Sequence, residues 1–169
     1  MLTIPPPRTL YIVGFLLCTG LIATALYFQH VLGMEPCPLC IFQRIGVMLL
    51  GVIFLLAAFI NPGRRVQRLF GLLILLAAMA GDGVSARHVW LQSLPEDQVP
   101  ACGPGLEFMF DVFPVDEALS MVFQGSGECA EVSWRFLGLS MPGWMLIIFS
   151  VFALFGLWQL ISPRPVAGR

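Results

Sequence analysis

Four long apolar segments constrain the fold of this 169-residue chain more than any other feature. They run over about residues 10–29, 41–60, 69–89 and 144–161. Each has close to the length of about 20 residues that a helix needs to cross the hydrocarbon core of a bilayer. Only 11% of the residues are charged and 58% are hydrophobic, so the chain lacks the polar surface of a soluble domain. The sequence predicts an all-α membrane protein, a bundle of four transmembrane helices forming one domain over residues 1–169.

The arginines predict the orientation of the bundle, because the chain contains no lysine. Six of the nine arginines lie at the termini and in the break between the second and third segments: Arg8, Arg64, Arg65, Arg68, Arg164 and Arg169. By the positive-inside rule these parts face the cytoplasm. The loops at about 30–40 and 90–143 then face the other side, which is the periplasm in a bacterial inner membrane. Alternatively, the first segment is a secretory signal, since Ala23-Thr24-Ala25 resembles a cleavage site, but the other helices would keep their orientation.

Four of the five cysteines lie in these two loops: Cys37, Cys40, Cys102 and Cys129. Paired cysteines in an oxidising compartment usually form disulfides. A Cys-x-x-Cys pair closes a small ring that is readily reduced and re-formed. The fifth, Cys18, lies within the first segment and is expected to be an inert buried thiol.

The Cys-x-x-Cys pair also stands where a thiolate would be stabilised. Pro38 suits a first helical turn, so we expect the second helix to begin near Cys40 and to direct its unpaired amides at that sulfur. Arg44 follows four residues later on the same helix face. Zinc is the competing interpretation of four cysteines, but 26 residues separate Cys102 from Cys129, which is not a second short zinc knuckle. We expect no metal site.

The long loop contains one periodic segment. Val115, Leu119, Val122 and Phe123 follow helical spacing, and acidic residues occupy the first turn. This pattern predicts a short amphipathic helix on the membrane surface, which would keep the loop cysteines near Cys37.

Several motifs together resemble the bacterial DsbB family of disulfide-generating membrane proteins. They are the Cys-x-x-Cys pair with an arginine four residues later, the distant loop pair, and the strings "RHVWLQ", "SGECAE" and "FLGLSMPGW". The resemblance covers about residues 10–162. The related vitamin K epoxide reductase family also has four helices and four cysteines, but its loop pair precedes the Cys-x-x-Cys pair, whereas here it follows.

The resemblance implies a quinone-linked oxidoreductase that makes protein disulfides. A periplasmic thiol oxidase of the DsbA type would attack Cys102, Cys129 would exchange with Cys37, and the Cys40 thiolate would meet a membrane quinone. Arg44 and His88 match the quinone-site positions of the family, at neighbouring helix ends. The expected cofactor is a quinone, ubiquinone in preference to menaquinone. The alternatives are a quinone reductase like vitamin K epoxide reductase and a structural membrane protein braced by disulfides.

Three further side chains carry expectations of their own. Arg87 is expected to extend its charge to the membrane interface. Asp82 lies deeper in the same helix and should face the bundle as a hydrogen-bonded group. Tyr11 is expected in the aromatic belt at the cytoplasmic interface.

Overall fold

The computed structural model describes residues 6–100, 108 and 111–163. Four of its helices are long and apolar enough to cross a membrane: α1 (Pro7–His30), α2 (Pro38–Ile60), α3 (Arg64–Gln92) and α6 (Met141–Ile161). Smaller elements connect α3 to α6, namely a 3-10 turn (Glu96–Gln98), α4 (Val115–Gln124), α5 (Gly127–Ala130) and an antiparallel hairpin of β1 (Arg135–Phe136) and β2 (Leu139–Ser140). The predicted all-α, four-helix membrane architecture is confirmed.

The spanning helices begin a few residues earlier than hydropathy predicts. Proline stands in the first turn of three of them, at Pro7, Pro38 and Pro142. Proline suits this position, because the amide it lacks would have no helical partner there. α3 begins at Arg64 rather than near residue 69. A hydropathy pattern misses its first residues because four of them are polar: Arg64, Arg65, Gln67 and Arg68.

Glycines set the closest approach between helices. A Cβ atom added to Gly71 of α3 would lie 2.8 Å from the carbonyl oxygen of Gly156 in α6. The reciprocal Cβ, on Gly156, would lie 2.7 Å from the carbonyl oxygen of Gly71. Elsewhere aromatic rings press against glycines, Phe54 against Gly14 and Phe149 against Gly81. Small residues of this kind let membrane helices pack with their backbones nearly in contact.

The two ends of the bundle differ in how α1 meets α6. We call the end with Cys37 the cysteine end and the end with Arg64 the arginine end. Near the arginine end, the hydroxyl of Tyr11 donates to Oε1 of Gln159 at 3.2 Å, and both side chains are buried. The placement of Tyr11 in a lipid-facing belt is therefore wrong, because its hydroxyl is satisfied inside the bundle.

At the cysteine end, the β-hairpin connects α1 with α6. Its turn, at residues 137–138, uses two positive φ angles of 51° and 82°. The ring of Trp134 lies 5.6 Å from Phe28 of α1 and stacks on Phe136 at 5.8 Å. The indole of Trp144 in α6 donates to the carbonyl of Phe136 at 3.1 Å. Aromatic residues of the hairpin and its flanks thus connect α1 with α6 at the cysteine end.

Candidate functional site

The Cys-x-x-Cys pair forms the beginning of α2. Cys37 is the N-cap residue, with extended backbone, and Pro38 is the first helical residue. The amide of Cys40 donates to the sulfur of Cys37 at 3.4 Å, and the two free thiols are 3.1 Å apart. α2 therefore begins two residues before Cys40, close to the expected start. The sulfur that caps the helix amides is that of Cys37, because Pro38 already adopts helical geometry.

Cys129 joins this pair from the loop. It lies on the single turn of α5, is fully buried, and packs with Cys37, Leu39 and Val122 in one apolar cluster. The ligand atoms of Cys37, Cys129 and His88 all lie within 4.8 Å of one another. A disulfide needs about 2.05 Å between its sulfurs, so a modest shift would join Cys37 to Cys129. Cys102 lies outside the described residues.

The two neighbouring thiols are electrostatically unequal. The pKa of Cys129 is lowered to about 6, chiefly because the Cys37 thiol acts as a hydrogen-bond donor to it, with further help from the backbone of Leu39 and from Ser126. The pKa of Cys37 is raised, because its proton is shared with Cys129 and Cys40 and because the thiol is buried. Cys129 is consequently the thiolate of this pair at neutral pH, and thiolates are the nucleophiles of disulfide exchange.

His88 lies next to the sulfurs of Cys37 and Cys129. It is buried on α3, with Nε2 3.7 Å from the sulfur of Cys37 and Nδ1 3.3 Å from Nε2 of Gln43. It also contacts the backbone of Cys129. With the Gln43 amide as donor to Nδ1, the imidazole proton is on Nε2 and faces Cys37. His88 therefore touches both cysteine-bearing segments.

Arg44 is tied to α1. One of its terminal nitrogens donates to the side-chain oxygen of Gln29, and the other donates to the carbonyl oxygen of Ala25 at 3.2 Å. The half-buried guanidinium is thus held by the last turns of a neighbouring helix rather than extended into the interface. Arg44 also lines the cavity described next.

A cavity of about 360 Å³ opens beside the Cys-x-x-Cys pair at the cysteine end. Its polar wall includes Cys40, Arg44 and His88, so the structure brings the three predicted side chains to one cavity. The opposite walls are apolar and come from α1, α2 and α6: Leu21, Ala25, Phe28, Val47, Met145 and Ile148. An apolar cleft with a few convergent polar groups suits a flat ring that carries two carbonyl oxygens. The residues present therefore fit a quinone.

The remaining predicted side chains have other partners. Asp82 accepts a hydrogen bond from the hydroxyl of Ser150 at 3.1 Å, as expected of a polar group facing the bundle. Cys18 is buried in the apolar core. The guanidinium of Arg87 donates to two carbonyl oxygens at the end of α4. The expectation that its charge lies at the membrane interface stays a prediction.

Sequence reasoning missed Gln43 and Gln29, which hold His88 and Arg44. Each is a polar residue near the end of an otherwise apolar helix, and Gln43 is 5% exposed. Buried amides require partners, so an uncharged polar residue beside predicted site residues was the available signal.

Comparisons with known proteins agree with this geometry. The family described as "Disulfide bond formation protein DsbB" matches residues 7–159. The protein named "Disulfide bond formation protein B" of Nitrosococcus oceani is 52% identical over 162 residues, covering 96% of each chain. The protein of the same name from Chromobacterium violaceum is 55% identical over 155 residues, covering 89% of this chain and 93% of the relative. That from Marinobacter nauticus is 49% identical over 160 residues, covering 93% and 95%.

A match of this extent shows both the family and its coarse activity, the formation of disulfide bonds by a multi-pass membrane oxidoreductase that works with a thiol oxidase. The chain belongs to the DsbB family of disulfide bond formation proteins.

Proposed function

We propose that this protein reoxidises a periplasmic thiol oxidase of the DsbA type and passes the electrons to a membrane quinone. One observation carries the proposal: the sulfur of Cys37 lies 3.1 Å from that of Cys40 and within 4.8 Å of that of Cys129, while Cys40 lines the apolar cavity. This proximity supports a relay from the loop to the cavity through Cys37.

The electrons would enter at the loop pair. A thiolate of the partner attacks Cys102 in a Cys102–Cys129 disulfide, so that bond breaks and Cys129 leaves as a thiolate. The second partner thiolate then attacks its own mixed disulfide, which oxidises the partner and frees Cys102. Ser126 and the backbone of Leu39 still stabilise the departing Cys129 thiolate while Cys37 is in its disulfide, and a better stabilised thiolate is a better leaving group.

The Cys129 thiolate then attacks Cys37 in a Cys37–Cys40 disulfide. A Cys37–Cys129 bond forms, and Cys40 leaves as a thiolate beside the cavity. Attack of Cys102 on Cys129 restores the loop disulfide and leaves Cys37 and Cys40 reduced. A quinone bound in the cavity would supply the terminal acceptor, taking up two electrons and two protons as the Cys37–Cys40 disulfide re-forms.

Arg44 and His88 have separate tasks in this scheme. Arg44 lines the cavity from a position fixed by Gln29, where its donors and positive charge suit a carbonyl oxygen that gains negative charge. His88 presents its Nε2 proton to Cys37 and so favours negative charge on that sulfur as disulfides break. Ubiquinone is the proposed acceptor.

The proposed location follows from the charge distribution. The arginine end, with Arg64, Arg65 and Arg68, faces the cytoplasm, and the cysteine end faces the periplasm of a bacterial inner membrane. The exchange reactions would then take place on the oxidising side, where new disulfides persist.

The test uses protein purified in mild detergent. Solvent extraction and mass spectrometry should recover a quinone, and added reduced partner should reduce one quinone for each disulfide formed. Cys40→Ser should retain the quinone but fail to reduce it. Partner oxidation that proceeds at the wild-type rate in Cys40→Ser, or in protein stripped of quinone, would refute the proposal.

A further inference from the structure

Arg87 connects α3 to the end of the loop helix α4. Its Nε donates to the carbonyl oxygen of Phe123 at 3.1 Å, and a terminal nitrogen donates to that of Gln124 at 3.0 Å. The guanidinium carbon also lies 4.1 Å from the ring centroid of Trp90, which is on the same helix. One side chain thus makes two hydrogen bonds and a cation–π contact at one place.

These carbonyls need an external partner. The last turn of a helix leaves its carbonyl oxygens without helical donors and carries the negative end of the helix dipole. The amide of Gly125 satisfies those of Met121 and Val122. Arg87 donates to the next two, those of Phe123 and Gln124, and its positive charge interacts favourably with the negative end of the dipole. A planar guanidinium can reach two adjacent oxygens at once, which an ammonium group cannot do in the same geometry.

The end of α4 is also seated closely on α2 and α3. Val122 is 1% exposed, and the ring of Phe123 lies 6.0 Å from that of Phe42. Gly125 has a φ of +83°, and a Cβ atom there would lie 2.3 Å from Cδ1 of Leu91. Position 125 can therefore be occupied only by glycine. The seat of α4 on the bundle is therefore defined by both Arg87 and Gly125.

Cys129 follows only four residues after Gly125. The intervening Ser126 is buried, its carbonyl oxygen accepts from the amide of Cys129 at 2.9 Å, and its hydroxyl lies 3.7 Å from the Cys129 sulfur. This connection is short, buried and hydrogen-bonded, so a displacement of the end of α4 would also displace the Cys129 sulfur.

We propose that Arg87 is a positioning residue, which holds the end of α4 on α3 and thereby sets the effective concentration of the Cys129 thiol at Cys37. The inference rests on the proposed exchange between Cys129 and Cys37, and it assigns no contact between Arg87 and the reacting sulfurs. Effective concentration is the relevant quantity, because an intramolecular exchange depends on how often the two sulfurs meet in a reactive geometry.

The experiment isolates this pair of sulfurs. Full-length Cys40→Ser/Cys102→Ser protein keeps Cys37 and Cys129 as its loop cysteines and cannot pass electrons through the other two. It is equilibrated in detergent with mixtures of reduced and oxidised glutathione, where one glutathione disulfide oxidises the two thiols and yields two glutathione thiols. The fraction of Cys37–Cys129 disulfide, measured by mass spectrometry after alkylation, gives the effective concentration.

Adding Arg87→Ala to this background should lower the effective concentration by at least about tenfold, because it removes two hydrogen bonds made by a charged group. Arg87→Lys should give an intermediate value, because it keeps the charge without the two-point contact. Gly125→Ala should lower the value with Arg87 intact. Arg135→Ala, which alters an exposed arginine on β1 of the same loop, is the matched control and should change nothing.

The outcomes separate the inference from the proposed function. A background protein that forms no Cys37–Cys129 disulfide would refute the proposed exchange itself. A background protein that forms it equally well with Arg87→Ala would overturn the role of Arg87 alone. Thermal unfolding in detergent reports whether each variant is folded. If Arg87→Ala does not fold, the effective concentration is measured in Arg87→Gln instead. That variant keeps a polar side chain but lacks the charge and the length needed to reach both carbonyl oxygens.

Discussion

The Nε2 atom of His88 lies 3.7 Å from the sulfur of Cys37, and its Nδ1 atom lies 3.3 Å from the amide nitrogen of Gln43. This relationship makes Gln43 the residue that selects the tautomer of His88. An imidazole that accepts at Nδ1 carries its proton on Nε2, where it can donate to a sulfur that is gaining negative charge.

Gln43→Leu should therefore slow oxidation of the reduced partner about tenfold, the effect of one lost hydrogen bond to a polar group at the site. Steady-state oxidation of the partner with excess quinone measures the rate. Combining Gln43→Leu with His88→Ala should be no slower than His88→Ala alone, because both changes remove the same donor. Losses that simply multiply would contradict the coupling.

The pKa of Cys129 should depend on Cys37. In the fully reduced protein, alkylation of Cys129 by a small reagent should rise with pH around a midpoint near 6, because the thiolate reacts and its pKa is about 6. Cys37→Ala removes the main donor and should move the midpoint upward, toward the value of about 8.5 for a free cysteine. Cys37→Ser keeps a donor and should move it less. Equal midpoints in the three proteins would show that Cys37 does not stabilise the thiolate.

Arg44 should affect quinone use more than folding. Arg44→Ala should raise the KM for added quinone about tenfold, the equivalent of roughly 1.4 kcal/mol. Arg44→Lys keeps the charge but cannot reproduce both contacts to Gln29 and Ala25, so its KM should lie between those of the wild type and Arg44→Ala. Gln29→Ala is the matched control, because Gln29 holds Arg44 without lining the cavity, and its effect should be smaller. Unchanged KM values in both Arg44 variants would show that Arg44 only connects α2 with α1 and does not contribute to quinone binding.

Packing of α3 against α6 should be sensitive to one methyl group at Gly71. Gly71→Ala places a Cβ 2.8 Å from a backbone oxygen that cannot move aside, and should destabilise the bundle by about 1–3 kcal/mol. Gly83→Ala, on the same helix, meets nothing within 4 Å and should be neutral or stabilising by about 0.5–1 kcal/mol. Thermal unfolding in detergent compares the two. A lower unfolding temperature for Gly83→Ala than for Gly71→Ala would contradict the packing described.

Much of the fold could be predicted because bilayer thickness and side-chain polarity act on single segments of the chain. The four spanning helices and the position of α4 follow from such local patterns. The start of α2 at Pro38, within two residues of the expected start near Cys40, is local as well, because proline suits the first helical position.

The tertiary partners of the site residues could not be predicted in this way. Nothing in the spacing of Arg87 and Phe123, 36 residues apart, indicates that the arginine ends the loop helix. The contact of Gln43 with His88 likewise depends on how α2 rotates against α3. The resemblance to a known family supplied the cysteine roles, while the geometry adds that the Cys37 sulfur lies close to those of both Cys40 and Cys129.

Trapping of disulfide intermediates tests the proposed relay most directly. Cys129→Ser leaves Cys102 as a free thiol, so membranes containing it are given a partner that keeps only its attacking cysteine, supplied as a mixed disulfide with glutathione. The Cys102 thiolate attacks the partner sulfur, glutathione leaves as a thiol, and a disulfide between Cys102 and the partner forms. That adduct persists because neither Cys129 nor a second partner cysteine is present to attack it. Non-reducing gels, with the band lost on reduction, identify it.

The decisive comparison is between Cys129→Ser and Cys40→Ser, each mixed with the partner and resolved on the same gel. The relay predicts a partner adduct through Cys102 in Cys129→Ser. In Cys40→Ser, given an excess of the reduced two-cysteine partner, it predicts that the loop disulfide oxidises at most one partner for each protein, after which the partner stays reduced without any adduct through Cys37. An adduct between the partner and Cys37 in Cys40→Ser, together with none in Cys129→Ser, would contradict the account, because the Cys-x-x-Cys pair would then be the dithiol that faces the partner.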